Sequence, residues 1–301
     1  MKHNALFSAF LLCLLIATAT RAQEERTDEE VVRVNTDLVV LNLTATDAKG
    51  DYVRGLRKED FRVYEDGREQ QVAEFSYEET PFAVAILIDT SGSMEGREAL
   101  ARSAAIRFLD GLRGDDVAAV YRFDSEVEQI QDFSPSRDLA PMIYSLRARG
   151  MTVLNDAIIR AARDLAQRPE KRRAIVILSD GADTHSRASA EKALDAALAA
   201  QATIYAVDMA ALDRPSPERQ AAAGTLRNFA NRTGGRYIST PGGQALRDAF
   251  ASIVEELGKQ YTLAYRPTNR ARDGRWRTIE VKVARPQVVV RTRRGYRVPR
   301  G

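Results

Sequence analysis

The stretch that decides the fold is residues 86–94, Ile-Leu-Ile-Asp-Thr-Ser-Gly-Ser-Met, in which an apolar run ends abruptly in polar residues. The apolar part is typical of a strand that is buried on both faces of a sheet. Asp89 ends the run, and the hydroxyls of Ser91 and Ser93 follow at alternate positions. A helix pattern begins soon after, at residues 97–112. We therefore expect a buried strand whose carboxyl end presents a carboxylate and two hydroxyls together.

The surrounding region, residues 82–258, alternates short apolar runs with helix-like patterns. The apolar runs lie at residues 83–88, 117–123, 174–178 and 203–207, and the helix patterns lie at 97–112, 137–147, 155–167, 189–200, 216–231 and 243–258. Alternating strands and helices predict an α/β fold, with a doubly wound, mostly parallel sheet covered by helices on both faces.

Strand patterns flank this α/β region on both sides. The N-terminal flank is residues 31–81, with alternating residues at 39–46 and a hairpin predicted where Asp66-Gly67 separates 61–64 from 71–75. The C-terminal flank is residues 259–301, with strand patterns at 261–265, 279–283 and 288–290. Each flank is too short to bury a core alone. We expect both to join in one smaller β-sandwich; separate packing of each flank on the α/β domain is the alternative.

The N-terminus predicts export. A basic start precedes an apolar run at residues 5–20, which is shorter than the ~20 residues that span a bilayer as a helix. Thr20-Arg21-Ala22 then offers small residues for cleavage, so residues 1–22 are predicted to be a signal peptide. Residues 23–30 form an acidic tail. We expect an exported protein, periplasmic or secreted, without stable membrane insertion; a retained N-terminal anchor is the alternative.

Composition excludes several functional classes. The formal net charge of +3, from 45 basic and 42 acidic residues, argues against nucleic-acid binding by bulk charge. Cys13 and His3 lie in the predicted signal, so His185 is the single histidine left. This excludes thiol catalysis, disulfides and Cys/His zinc sites. The sequence has no phosphate-binding P-loop and no G-x-S-x-G elbow. We expect no enzymatic activity, with a metal-assisted hydrolase as the enzyme alternative.

Two further predicted strand or loop ends carry oxygen ligands. Asp180 follows the apolar run at 174–178, and Thr152 precedes the helix pattern at 155–167. Ligand sites of open α/β sheets lie at the carboxyl ends of the strands, so these side chains are expected near Asp89. Carboxylate and hydroxyl oxygens suit a hard cation, Mg²⁺ first and then Mn²⁺ or Ca²⁺.

The motif Asp89-Thr90-Ser91-Gly92-Ser93 resembles the D-x-S-x-S motif of von Willebrand factor type A (VWA) domains. Thr152 and Asp180 follow in the order of that family's threonine and second aspartate. The resemblance covers residues 80–258 and implies a Rossmann-like VWA fold with a metal-ion-dependent adhesion site (MIDAS). It further implies that the three hydroxyls bind the metal directly, and that Asp89 and Asp180 bind directly or through water. A partner protein would supply an Asp or Glu side chain.

The flanks are similar to those of a bacterial family of exported VWFA-related proteins. The similar segments are Gly-Leu-Arg-Lys-Glu-Asp-Phe at 55–61, Tyr-Glu-Asp-Gly at 64–67, and Arg-Gly-Tyr at 294–296. The expected function is that of an exported, metal-dependent, adhesion-type protein-binding module. The alternative is a structural or assembly protein of the cell envelope that acts through the β-sandwich. The sequence names neither the partner nor the oligomeric state.

Several single residues also receive an interpretation. His185 is interpreted as a solvated loop residue, Asp156 as a helix cap or first-turn charge, and Trp276 as part of the β-sandwich core. The C-terminal arginines are interpreted as a solvated strand face, with an anionic-surface contact as the alternative; they are Arg291, Arg293, Arg294, Arg297 and Arg300.

Overall fold

The computed structural model describes residues 38–77, 80–137, 147–180, 183–209, 216–240 and 242–301. The predicted signal peptide and acidic tail lie outside the described residues, as does most of the helix predicted at 137–147. The strands are β1 (Val39–Thr46), β2 (Phe61–Glu65), β3 (Arg68–Gln70), β4 (Val72–Ser76), β5 (Phe82–Asp89), β6 (Val117–Phe123), β7 (Val127–Ser134), β8 (Arg172–Ser179), β9 (Ala202–Asp208), β10 (Tyr237–Ser239), β11 (Tyr261–Tyr265), β12 (Trp276–Val283), β13 (Val289–Arg291) and β14 (Gly295–Arg297). The helices are α1 (Glu98–Asp110), α2 (Leu154–Ala166), α3 (Ala190–Ala199), α4 (Pro217–Thr233) and α5 (Gly243–Gly258).

A six-stranded sheet in the order β10-β9-β8-β5-β6-β7 forms the centre of the α/β domain. Every neighbouring pair is parallel except β6 and β7, which are antiparallel. Strand β5 is buried along its whole length, and its alternate residues enter two different cores. Ile86 and the other side chains on its face of β5 pack with α1 and α5. Leu87 and the other side chains on the opposite face pack with α2, α3 and α4. The predicted doubly wound α/β fold is confirmed.

The two flanks share one β-sandwich, as predicted. Its sheets have the orders β13-β1-β11-β4 and β14-β12-β2-β3, so each sheet takes strands from both ends of the chain. Leu41 of β1 pairs with Leu263 of β11, and Val63 of β2 pairs with Val281 of β12. One core of buried residues from both flanks fills the space between these sheets, including Leu43. Neither flank could form this core alone.

The predicted hairpin around Asp66-Gly67 is correct at its turn and wrong in its second strand. Both turn residues have positive φ, +49° and +78°, as a two-residue hairpin turn requires. The partner of β2, however, is the short strand β3. After Gln71 the chain crosses to the other sheet, where β4 pairs with β11. The segment at 71–75 was expected to complete the hairpin because it has the stronger strand pattern, and it instead forms the edge of the opposite sheet.

The interpretation of the C-terminal arginines as a solvated face is wrong for Arg291 and Arg293, which are not exposed. Arg291 donates a hydrogen bond to Glu256 of α5, and Arg297 donates to Asp195 of α3 at 2.9 Å. Arg293 is buried and donates to the backbone oxygen of Val40 at 2.8 Å. These side chains contact elements outside their own strands. Arg294, Arg297 and Arg300 are exposed, as expected.

Trp276 is also placed differently from the expectation. It begins β12, but its side chain packs against the core formed with α2, α3 and α4. The guanidinium of Arg232 in α4 lies over its ring, 4.4 Å from the centroid. Trp276 therefore contributes to the contact between the two domains and is not part of the β-sandwich core.

Candidate metal centre

The buried carboxylate of Asp89 lies where the parallel strands β5 and β8 end side by side. Asp89 is 1% exposed. Its Oδ1 accepts the backbone N–H of Ser91 at 2.9 Å, and its Oδ2 accepts the hydroxyl of Ser179 at 2.5 Å. Ser179 is the last residue of β8, so this hydrogen bond ties the two strand ends together. The carboxylate is thereby fixed in orientation before any ligand binds.

The two serines of the motif form a hydroxyl pair. A short 3₁₀ turn, Gly92–Met94, follows Ser91 and is anchored by the fully buried Met94. This turn brings the hydroxyl oxygens of Ser91 and Ser93 to 3.0 Å from each other. Ser91 is buried and Ser93 is exposed, so the pair leads from the strand end to the surface.

Thr152 lies in a loop that adjoins the serine motif. The backbone N–H of Arg149 donates to the oxygen of Thr90 at 2.8 Å, and that of Gly92 donates to the oxygen of Gly150 at 3.2 Å. On its other side, the N–H of Thr152 donates to the hydroxyl of Thr184 at 2.9 Å. The loop is thus held between the segments that follow β5 and β8, at the carboxyl edge of the sheet.

Asp180 is the first residue after β8 and is half-buried. Burial raises the pKa of Asp89 from 3.8 to about 6, although the hydrogen bonds from Ser179 and Ser91 lower it. The negative charge of Asp180 adds to the rise in this pKa. The two carboxylates therefore repel each other, and a cation bound between them would offset this repulsion.

The donor set fits a hard divalent cation. Three of the five predicted ligands, Asp89, Ser91 and Ser93, are in direct contact, and Asp180 interacts electrostatically with Asp89. Among the described residues, no group of three or more His, Cys, Asp and Glu side chains could hold a metal ion. A metal here would depend on hydroxyl ligands together with two carboxylates, which are the oxygen ligands that Mg²⁺ accepts. The role of each residue as a ligand stays a prediction.

Sequence reasoning missed the residues that support this centre. Ser179 donates a hydrogen bond to Asp89. Its position at a strand end, directly before Asp180, was the one feature of the sequence that could have indicated this role. Asp183 accepts the backbone N–H of Asn155 at 2.8 Å, which satisfies the N-terminus of α2 from another loop. Asp156 lies in the first turn of α2, as expected, and accepts the backbone N–H groups of residues 187 and 188, both at 3.0 Å.

Comparison with known proteins agrees with this architecture. Residues 84–182 match the family model described as the von Willebrand factor type A domain. This part of the α/β region, residues 84–182, is a VWA domain. Its match includes all five predicted ligand positions, from Asp89 to Asp180. No curated protein matches the chain.

Solved structures with a similar fold include several VWA domains. The von Willebrand factor type A protein from Catenulispora acidiphila is 13% identical, with a TM-score of 0.50 over 86% of this chain and 73% of that one. An aerotolerance-related membrane protein from Bacteroides fragilis is 20% identical, with a TM-score of 0.49 over 59% of this chain and 99% of that one. The vWF domain of the type V pili tip protein Mfa5 from Porphyromonas gingivalis is 16% identical, with a TM-score of 0.47 over 58% and 94%. The Catenulispora acidiphila structure covers 86% of this chain, so the similarity in fold extends well beyond residues 84–182.

Replacing Asp89 with asparagine is expected to stabilise the metal-free protein at neutral pH and not in acid. The folded-state pKa of about 6 lies above the ordinary value of 3.8, so folding favours the protonated carboxyl. Stability that is present below about pH 4 is therefore lost as the pH rises through about 6. An asparagine side chain cannot ionise, so the Asp89→Asn variant escapes this loss, by about 1–3 kcal/mol at pH 7. Urea unfolding in chelator, at about pH 4 and at pH 7, measures the free energy of unfolding of the variant and of wild type. A variant that gains less stability over wild type at pH 7 than at about pH 4 would contradict this prediction.

Proposed function

We propose that this chain is an exported protein-binding module that captures an acidic side chain of a partner through a divalent cation held by its VWA domain. The observation that supports this most is the contact set at the strand ends. Asp89 is fixed by Ser179, Ser91 adjoins Ser93, and Asp180 follows directly after Ser179. The hydroxyl of Ser93 is exposed, which leaves the cluster accessible from solvent.

The protein's own residues prepare this site for an anionic partner. Asp89 and Asp180 together carry two negative charges, which a divalent cation would neutralise. Ser91, Ser93 and Thr152 would add neutral oxygen ligands, so the loaded site would keep no excess negative charge. The cation supplies an open coordination position that a partner carboxylate can occupy in place of water. Because Asp89 is already oriented by two hydrogen bonds, little ordering is needed when the cation binds.

Export rests on the N-terminal sequence. The apolar run at 5–20 and the small residues before Gln23 predict a signal peptide. Among the described residues, no helix is long and apolar enough to cross a membrane. We propose a periplasmic or secreted location, where a mature chain without cysteine cannot form unwanted disulfides.

The experiment is capture of partners by the mature chain from an envelope extract of its source cells. We expect partners that are retained in Mg²⁺ and released by chelator, and that are lost with the double variant S91A/S93A. The matched control is Ser103→Ala, an exposed serine in the middle of α1. Capture that persists in chelator and with the double variant would instead favour a structural envelope role for the β-sandwich.

A further inference from the structure

Arg293 carries a buried charge for which the described residues supply no ionic partner. The residue is 8% exposed, and its guanidinium donates to the backbone oxygens of Val40 at 2.8 Å and of Leu198 at 3.4 Å. The guanidinium also lies over the ring of Tyr296, 5.5 Å from the centroid. Its buried Nε–H has no acceptor within the described part of the chain. Carbonyl oxygens and a ring face offset part of a positive charge, but none of them carries a full negative charge.

The carboxylates that lie on the same elements as these contacts are already engaged. Glu65 accepts the hydroxyls of Tyr265 at 2.7 Å and of Tyr296 at 3.0 Å, both on Oε2. Asp195 of α3 forms an ion pair with another arginine. Burial lowers the pKa of Arg293, although Tyr265 and Tyr296 oppose this shift. A guanidinium stays protonated in a protein, so its buried charge is favourable only with a counter-charge that these residues do not supply.

A small cavity adjoins this guanidinium at the boundary between the β-sandwich and the α/β domain. Asn42 and Arg293 line it from the two flanks, and Gln201, Thr203 and Thr233 line it from the α/β domain. Its volume is about 10 Å³, which is room for one water molecule or one monatomic ion and too little for phosphate or sulfate. The cavity therefore limits any ligand to a single small particle.

The polar side chains that remain free around this cavity carry hydrogen-bond donors. Asn42 and Thr233 already have hydrogen-bond partners elsewhere in the fold. The hydroxyl of Thr203, a residue that is 6% exposed, and the amide of Gln201 have no partner among the residues that the structure describes. Together with the Nε–H of Arg293, they offer three donors, one of them charged. Such surroundings suit a small anion, because hydrogen bonds from charged donors are the strong ones.

The backbone at Gln201 supports a role for its side chain. Gln201 follows the C-cap of α3 and has a φ of +56°, in the left-handed region that favours glycine. A glycine would adopt this conformation without strain but would remove the amide that lines the cavity. Strained backbone of this kind is often found where a side chain contacts a ligand.

We propose that this cavity binds one monatomic anion of the size of chloride, which joins the β-sandwich to the α/β domain. The anion accepts hydrogen bonds from Arg293, Thr203 and Gln201, and its charge neutralises the buried guanidinium. This inference goes beyond the proposed function and does not depend on the metal centre. Because residues of the cavity come from distant parts of the chain, the anion binds the folded state and not the unfolded one. Chloride therefore stabilises the protein as its concentration rises.

Thermal melts of the full mature chain test this at constant ionic strength, with chloride replacing gluconate, an anion too large for the cavity. We expect the melting temperature of wild type to rise with the chloride concentration. Thr203→Val removes one hydroxyl donor and keeps the shape of the side chain, so the Kd for chloride obtained from the melts should rise by about tenfold. The matched control Thr278→Val, at an exposed position of β12, should behave as wild type.

Anomalous diffraction at long wavelength, from crystals of the wild-type chain grown in chloride, locates the anion without any variant. We expect an anomalous peak beside the Nε of Arg293, because chloride scatters anomalously and water does not. A water molecule or no density in the cavity would overturn the proposal, as would melting temperatures that respond equally to chloride and gluconate. An equal chloride response in wild type and Thr203→Val would also overturn it, because anions bound at the surface would then account for the stabilisation.

Discussion

Replacing Glu256 with alanine is expected to destabilise the folded chain by about 3–5 kcal/mol, the typical effect of breaking a buried ion pair. Glu256 is 1% exposed and lies near the end of α5. It accepts hydrogen bonds from Thr44 at 3.1 Å and from Tyr205 at 2.8 Å, and it also accepts one from Arg291. Thr44 and Arg291 belong to the sandwich, whereas Tyr205 belongs to the central sheet. One carboxylate thus joins both domains.

The reason for so large an effect is that several polar groups would lose their partner at once. The guanidinium of Arg236 also lies 3.0 Å from Glu256 Oε2, so two cations depend on the same carboxylate. Burial and the charge of Glu256 raise the pKa of Tyr205, which keeps its hydroxyl protonated as a donor. The buried hydroxyls of Thr44 and Tyr205 would lose their acceptor, and two guanidinium groups would lose the carboxylate that offsets their charge.

The matched control is Glu255→Ala, one residue earlier in the same helix. Glu255 has a half-exposed side chain that pairs with Lys259 at the surface, and exposed pairs contribute about 0–1 kcal/mol. Urea unfolding of the mature chain, followed by circular dichroism, gives both values. Equal, small losses of stability for the two variants would show that Glu256 does not join the domains as described.

Replacing Asp180 with asparagine is expected to weaken Mg²⁺ binding by about tenfold or more, because a charged ligand becomes neutral. The metal-free protein should keep its stability or gain up to about 1 kcal/mol, since Asp180 repels the buried charge of Asp89. The signature is therefore a loss of metal affinity without a loss of folding. Thermal melts in Mg²⁺ and in chelator separate the two quantities.

Asp110→Asn provides the control for Asp180. Asp110 is an exposed carboxylate at the last residue of α1, and its replacement removes the same charge from the chain. This variant should change neither the metal affinity nor the shift in melting temperature that Mg²⁺ produces. A strongly destabilised metal-free Asp180→Asn protein would contradict the repulsion argument, because it would mean that Asp180 is needed for folding.

The elements that sequence predicts well are those with a strong local pattern. Strands β5, β6, β8 and β9 are apolar runs buried in the central sheet, and their bounds agree with the predicted runs within two residues. The serine motif was predictable for the same reason, since its residues follow a strand end in one continuous stretch. Strand β7 was missed because, as an edge strand, it has a single buried residue, Ile130, and so lacks a clear alternation.

The features that could not be predicted depend on distant parts of the chain. Nothing local distinguishes the buried Arg293 from the exposed Arg294 beside it. The difference arises because β1, whose Val40 oxygen accepts from Arg293, is brought there by the fold. The switch between sheets after Gln71 is similar, since the partner of β4 lies near the other end of the chain. Ser179 acquires its role only when β8 lies beside β5.

Calorimetric titration of Mg²⁺ into the metal-free mature chain tests the existence of the metal centre most directly. We expect saturable binding to wild type and to Ser103→Ala, and its loss in S91A/S93A, which removes the hydroxyl pair and leaves both carboxylates in place. Binding that is absent in wild type, or unchanged in S91A/S93A, would contradict a divalent cation held at the carboxyl ends of β5 and β8.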